Sequence, residues 1–293
     1  MHWQKITLVG IGLLGGSLGL AIKQRRLAAR VEGFVRRPAA VAECEALGIV
    51  DAASNDLRGA VEGAELVILC TPLGMMADLS RQLLPALKPG AIVTDVGSVK
   101  ATVVQELEPM IQGAGRHFLG SHPMAGGEKT GASAARADLF QNTLCIVTPT
   151  SKTDWAVVDK VKEFWRDVVS TTLLLSADVH DDLVSRSSHL PHVVAAELAN
   201  YVLSPAHPPE QAAVCANGFR DTTRIASGSP EMWRDIVLAN RKNVARALGV
   251  FVEDLQEFKR ALEQGNREAV EEFFDKAKQR RDQWPPSPSP TPR

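Results

Sequence analysis

The stretch SHPMAGGEKTG, residues 121–131, sets a histidine ahead of a proline and follows it with three glycines. An imidazole titrates near neutrality, so His122 is a natural acceptor for a hydroxyl proton when a hydride leaves the same carbon. Pro123 would stiffen the turn expected to carry the ring, while Gly126, Gly127 and Gly131 keep side chains out of a substrate's way. The run AIVTDVGSVK ends in Ser98 and Lys100, and Ser98 is placed to hydrogen-bond and orient His122. Further on, in NGFRDTTRIASGSPEMWRDI, Arg224 stands among Thr222, Thr223 and Ser227 and suits a carboxylate clamp, with an Arg–Asp surface pair as the competing reading. His180, His189 and His192 lack a carboxylate repeat with metal-ligand spacing, which favours hydrogen bonding over a metal site.

A second chemistry is written near the N-terminus. ITLVGIGLLGGSLGLAIKQRR carries Gly10, Gly12 and Gly15 in G-x-G-x-x-G spacing between a strand-like and a helix-like run, the pattern of a dinucleotide cradle. Gly10 would make the tight turn, Gly12 would admit a pyrophosphate to the backbone, and Gly15 would let helix and strand pack closely. The amides of Leu13 and Leu14 then open the helix and face the phosphates. An acid about 20 residues beyond the last glycine would bind the ribose of NAD. Val35 occupies that place, followed by Arg36 and Arg37, which suit the 2′-phosphate of NADP; Glu32 in another register keeps NAD open. In LCTPLGMM, Thr71 and Pro72 are expected at the carboxyl end of the sheet, beside the cofactor.

These residues need a scaffold. KITLVG, RVEGFV, ELVILCTP, AIVTDVGS, TLCIVTP and STTLLLSA alternate with Ala/Leu-rich segments, which predicts a Rossmann-type α/β domain with a parallel sheet over 1–177, the last strand at its edge. From 178 to 283, VVAAELANYVL, MWRDIVLANRKNVARALGVFVEDLQEFKRALEQG and NREAVEEFFDKAKQRRDQW repeat apolar residues at three- and four-residue spacing, which predicts an all-α domain. Its apolar surface exceeds what a small domain hides alone, so a homodimer through these helices is expected. Residues 284–293 form a Pro/Ser tail expected to be disordered.

The 293 residues carry 33 Lys and Arg against 34 Asp and Glu, a balance that recruits neither nucleic acid nor an anionic membrane. Four separated cysteines without a CxxC pair, and an N-terminus without a signal-peptide pattern, point to a reducing, cytoplasmic protein with no zinc site.

Taken in order, GIGLLGGSLG, TDVGSVK, SHPMAGGEKTG, SHLPH and GFRDTTRIA resemble the prephenate dehydrogenase family, also called arogenate or cyclohexadienyl dehydrogenase, over nearly the whole chain up to the tail. The resemblance implies oxidative decarboxylation of prephenate to 4-hydroxyphenylpyruvate, or of arogenate to tyrosine. It implies that His122 takes the ring hydroxyl's proton, that Ser98 bridges His122 and the nicotinamide, and that Arg224 holds a substrate carboxylate. Glu128 and His192 match polar residues near the substrate's side-chain end, and Trp233 an aromatic at the dimer-side wall. No fused mutase stretch or regulatory module is expected, so feedback by tyrosine would act at or near the active site. Two rivals share the front end: a β-hydroxyacid dehydrogenase, which needs a catalytic lysine not found in SSHLPHVVAAELANYV, and a sensor that binds NADP without turnover.

Overall fold

The structure, a computed structural model, describes residues 3–284. The expected tail lies, beyond Trp284, outside the described residues. Eight strands form the sheet: β1 (Trp3–Val9), β2 (Ala28–Phe34), β3 (Ala52–Ser54), β4 (Leu66–Leu69), β5 (Ile92–Asp95), β6 (His117–Pro123), β7 (Leu144–Thr148) and β8 (Thr171–Leu174). Their spatial order is β3-β2-β1-β4-β5-β6-β7-β8. The chain winds outward in one direction from β1 and in the other from β4, leaving a crevice above the carboxyl ends where the order reverses.

The central strands are apolar on both faces because helices cover both. Ile6, Leu8 and Ile68 pack on one side with Leu18 and Ile22 of α1 (Leu13–Arg25). Val67, Leu69 and Val93 pack on the other with Leu79 and Leu83 of α4 (Leu73–Leu83) and Leu107 of α5 (Ala101–Gly113). Between α1 and α4, α2 (Ala39–Ala46) and α3 (Leu57–Val61) complete the first half. In α6 (Trp155–Val168), buried Val157, Val158, Val161, Phe164, Trp165 and Val168 repeat at helical spacing, and Asp154 caps the helix by accepting from the Ala156 amide at 2.9 Å.

Three features depart from the sequence reading. The sheet is not wholly parallel, because β6 and β7 pair antiparallel. Two strands were not anticipated: β3 is three residues of Ala-Ala-Ser, and β6 reads HFLGSHP, whose Gly, His and Pro hide its strand character. Consequently His122 does not sit in a bare turn. It pairs with Ile146 as the penultimate residue of β6, and the glycine-rich turn begins beyond it.

The helical half comprises α7 (Ala177–Val184), a π-helical turn over Ser185–His189, α8 (Leu190–Val202), α9 (Glu210–Ala213), α10 (Asn217–Thr223), a 3-10 turn over Arg224–Ser227, α11 (Pro230–Ala239), α12 (Arg241–Glu263) and α13 (Arg267–Gln283). The long run 232–265 is two helices rather than one, broken at Asn240. The Asn240 amide nitrogen donates to the Asp181 carbonyl at 2.7 Å and lies 3.2 Å from His189 Nδ1, so tertiary partners hold it at the break. Only Val244 of α12 is buried, and Val250, Leu255, Leu262 and, on α13, Phe274 stand exposed. Among the described residues, no helix is long and apolar enough to cross a membrane.

Candidate active site

The glycine turn after β1 has the geometry a dinucleotide requires. Gly10 adopts φ 99°, a left-handed conformation that side chains disfavour. A Cβ on Gly15 would stand 2.1 Å from the Gly10 carbonyl oxygen, so the start of α1 can approach β1 only without one. Around Gly12 nothing lies within 4 Å of the Cβ position, which leaves open space at the N-terminal end of α1. Leu13 and Leu14 open that helix with first-turn amides that have no intrahelical acceptor. Across the crevice Thr71 follows β4 with its Oγ1 buried and unpartnered, and Pro72 precedes α4. An open cradle, free amides and an orphaned hydroxyl fit a dinucleotide here.

Beyond β2, Val35 is buried while Arg36 and Arg37 are exposed, and neither arginine forms an ion pair among the described residues. Glu32 does not reach the strand end. Its carboxylate is taken by Lys5 at 2.7 Å and Arg30 at 2.6 Å.

His122 is 7 % exposed, and burial, with the neighbouring His180, Lys100 and His189, holds its pKa well below the ordinary histidine range. It is therefore neutral near pH 7. Its Nδ1 lies 2.8 Å from His180 Nε2, and His180 Nδ1 lies 2.7 Å from Asp181 Oδ1. That bond takes the place expected for Ser98, whose side chain makes no hydrogen bond to His122. Beneath the ring, fully buried Lys100 pairs with Asp95 and donates to the Ser121 carbonyl at 2.9 Å. Asp181, Asp95 and Asn240 escaped the sequence reading. DVHDDLV contains an adjacent His-Asp pair, but nothing local in it says which strand it will meet.

Arg224 forms an ion pair with Glu128 in which the side chains are 62 % and 37 % exposed. Both line a cleft of about 960 Å³ together with Leu13, Gly126, Gly127 and Arg136. The cleft thus joins the start of α1, at Leu13, to the arginine, while His122, Ser98, His192 and Trp233 do not line it. His192 instead stacks on Trp233, ring centroids 3.6 Å apart, and its Nδ1 donates to the Ser188 carbonyl at 2.9 Å. Among the described residues, no three His, Cys, Asp or Glu side chains gather to hold a metal.

His189 has a measurable consequence for stability. It is fully buried, its Nε2 has no partner in hydrogen-bond geometry, and desolvation pulls its pKa down to about 4 despite the opposing Asp181 charge. The unfolded imidazole takes a proton below pH ~6.5 and the native one does not until about pH 4. Stability should be full above about pH 6.5 and decline by roughly 3 kcal/mol as pH falls to about 4. Urea unfolding at a series of pH values checks this, and a profile that stays flat through that window would contradict it.

Residues 18–173 match the description "Prephenate dehydrogenase, nucleotide-binding domain", and residues 176–276 match "Prephenate dehydrogenase, dimerization domain". The chain is 35 % identical over 283 residues to a prephenate dehydrogenase of Bacillus subtilis, covering 96 % of this chain and 76 % of that one. It is 31 % identical over 282 residues to a cyclohexadienyl dehydrogenase of Zymomonas mobilis, covering 95 % of each. A crystal structure of the A. aeolicus prephenate dehydrogenase, in complex with hydroxyphenyl propionate and NAD+, superimposes with a TM-score of 0.88 at 31 % identity, covering 95 % of this chain and 97 % of that one. With a glycine turn after β1, a buried imidazole at the strand ends and a helical half that matches over residues 176–276, the chain belongs to the prephenate dehydrogenase family.

Proposed function

We propose that this protein is a prephenate dehydrogenase that oxidatively decarboxylates prephenate to 4-hydroxyphenylpyruvate with reduction of a nicotinamide dinucleotide. The observation that carries this reading is a neutral, buried imidazole at the carboxyl end of β6, bonded at Nδ1 and left at Nε2 without a protein partner among the described residues. That is the state in which a general base can accept a proton.

Gly10, Gly12, Gly15 and the amides of Leu13 and Leu14 would hold the pyrophosphate, with Thr71 and Pro72 alongside. NADP is favoured over NAD, because Glu32 is engaged elsewhere and Arg36 and Arg37, without an ion-pair partner among the described residues, stand where a 2′-phosphate would lie. A bound nicotinamide would supply the redox chemistry, as acceptor of the hydride lost from C4 of the substrate ring. His122 Nε2 takes the proton of the C4 hydroxyl. Carbon dioxide then leaves the quaternary ring carbon, the electron pair of the broken bond passes through the ring and completes its aromaticity, and the C4 oxygen takes back the proton from His122 Nε2 to become the product hydroxyl. Ser98 would orient the reacting groups from the nicotinamide side.

Arg224 would receive a substrate carboxylate in place of Glu128. So exposed an ion pair is worth only about 0–1 kcal/mol, so a doubly charged substrate can displace it at little cost. Glu128 in the cleft, and the stacked His192 and Trp233 outside its lining, would meet the substrate's side-chain end. The exposed apolar side chains of α12 and α13 support a homodimer, and the assignment to a biosynthetic dehydrogenase suits the cytoplasm.

Nicotinamide absorbance, with prephenate or arogenate crossed against NAD or NADP, tests the proposal. Reduction with prephenate, faster with NADP, is expected. Reduction with arogenate alone would move the product to tyrosine, faster turnover with NAD would overturn the reading of Arg36 and Arg37, and no reduction in any combination would overturn the activity.

A further inference from the structure

Asp181 is an unusual anchor. It sits in α7 of the helical half, yet its carboxylate accepts from the amides of Lys100 at 2.7 Å and Ala101 at 2.9 Å, closing the N-terminus of α5 in the other half. Its Oδ1 also lies 2.7 Å from His180 Nδ1, and the side chains of both residues are essentially inaccessible to solvent. The carboxylate is therefore an acceptor with its oxygens already committed to N–H donors at the positive end of a helix.

The direction of every bond in the chain follows. Asp181 accepts, so His180 Nδ1 donates. With that one proton on the His180 ring, its Nε2 presents a lone pair, and the atom facing it, His122 Nδ1, carries the hydrogen. The remaining nitrogen of His122, Nε2, is left bare. The ring centroids stand 5.1 Å apart at 67°, an edge-on approach that suits a donor in one ring plane meeting a lone pair in the other.

We propose that His180 and Asp181 are positioning residues that fix His122 in the tautomer with its proton on Nδ1, leaving Nε2 as the proton acceptor, and that they hold the charge formed when Nε2 is protonated. This rests on the activity proposed above and adds a role for two residues that do not touch the substrate. In the step itself the substrate O–H bond breaks and an Nε2–H bond forms, so the positive charge appears on His122. Lys100 on one side opposes that charge, and the Asp181 carboxylate one ring away offsets it. Without His180, an isolated imidazole distributes its proton between both nitrogens, and the fraction protonated on Nε2 cannot act as the base. The arrangement parallels the way an aspartate fixes a histidine in a serine hydrolase triad, with an extra ring inserted between the two.

Two variants separate positioning from packing. In His180→Leu the buried volume is largely kept and the acceptor is lost. In His180→Gln the side-chain oxygen can occupy the place of Nε2 and accept from His122. Nitrogen-15 NMR of histidine-labelled protein, with the His122 signals identified by their loss in His122→Asn, should show a protonated Nδ1 and a bare Nε2 in the native protein and in His180→Gln. His180→Leu should show mixed tautomers and a turnover lowered about a hundredfold, with the Michaelis constant and dinucleotide affinity unchanged. His180→Gln should recover most of that turnover. A native His122 protonated on Nε2, near-native turnover in His180→Leu, or equal damage in the two variants would each overturn the proposal. The tautomer is read from the resting protein, so it stands or falls separately from the identity of the substrate.

Discussion

Replacing His122 with asparagine should lower turnover by about 10² to 10⁴ while leaving the Michaelis constant and the melting temperature near their native values. The asparagine amide nitrogen can occupy the place of Nδ1, so a donor still meets His180 Nε2 and the buried site beneath β6 is not left with an unpaired acceptor. What disappears is the lone pair at Nε2. Because the native ring is kept neutral by burial, it is already in its accepting form at pH 7, and its loss falls on the chemical step rather than on binding. Steady-state kinetics at neutral pH check the result. Near-native turnover would remove His122 from the mechanism.

Gly15→Ala should weaken dinucleotide binding by about tenfold to a hundredfold, for a purely steric reason. The new methyl group would stand 2.1 Å from the Gly10 carbonyl oxygen and 3.1 Å from Cys70 Cβ, and the first of these is backbone that cannot swing aside. Overpacking of this kind costs about 1–3 kcal/mol, and the segment that must shift is the cradle itself, so the loss should appear largely in affinity. Gly113→Ala is the control: nothing lies within 4 Å of its Cβ position and its φ is not positive, so binding should be unchanged. Calorimetric titration with NADP and NAD measures both. Native affinity in Gly15→Ala would mean that the turn relaxes freely, and the cradle assignment would fail.

The two predictions differ in how far they were readable. The G-x-G-x-x-G spacing is a local constraint, since the tight turn, the open backbone and the close approach all arise within six residues. The alternation of apolar runs with helical periodicity likewise announced a sheet covered on both faces, because a strand buried on both sides has to be apolar along its length. Where elements were missed, the local signal was absent or pointed elsewhere. Ala52–Ser54 has no β-branched residue, and β6 is disguised by Gly120, His122 and Pro123. At Asn240 the helical pattern continues without interruption in the sequence, and the break is held by Asp181 and His189 from a distant segment.

The site divides along the same line. His122 and Arg224 could be singled out by residue type and setting, but their partners could not. Ser98 was expected beside the ring, and His180, 58 residues beyond His122, is the residue bonded to it. Arg224 meets Glu128 across 96 residues.

The sequence alone therefore determined the class of fold, the tight glycine turn after β1 and the kinds of side chains on offer, because each depends on spacing within one element. The tertiary structure decided which groups meet, and with that the protonation of His122. Burial and a fixed hydrogen-bond partner set that state, and both are created only when α7 packs against the carboxyl ends of the strands.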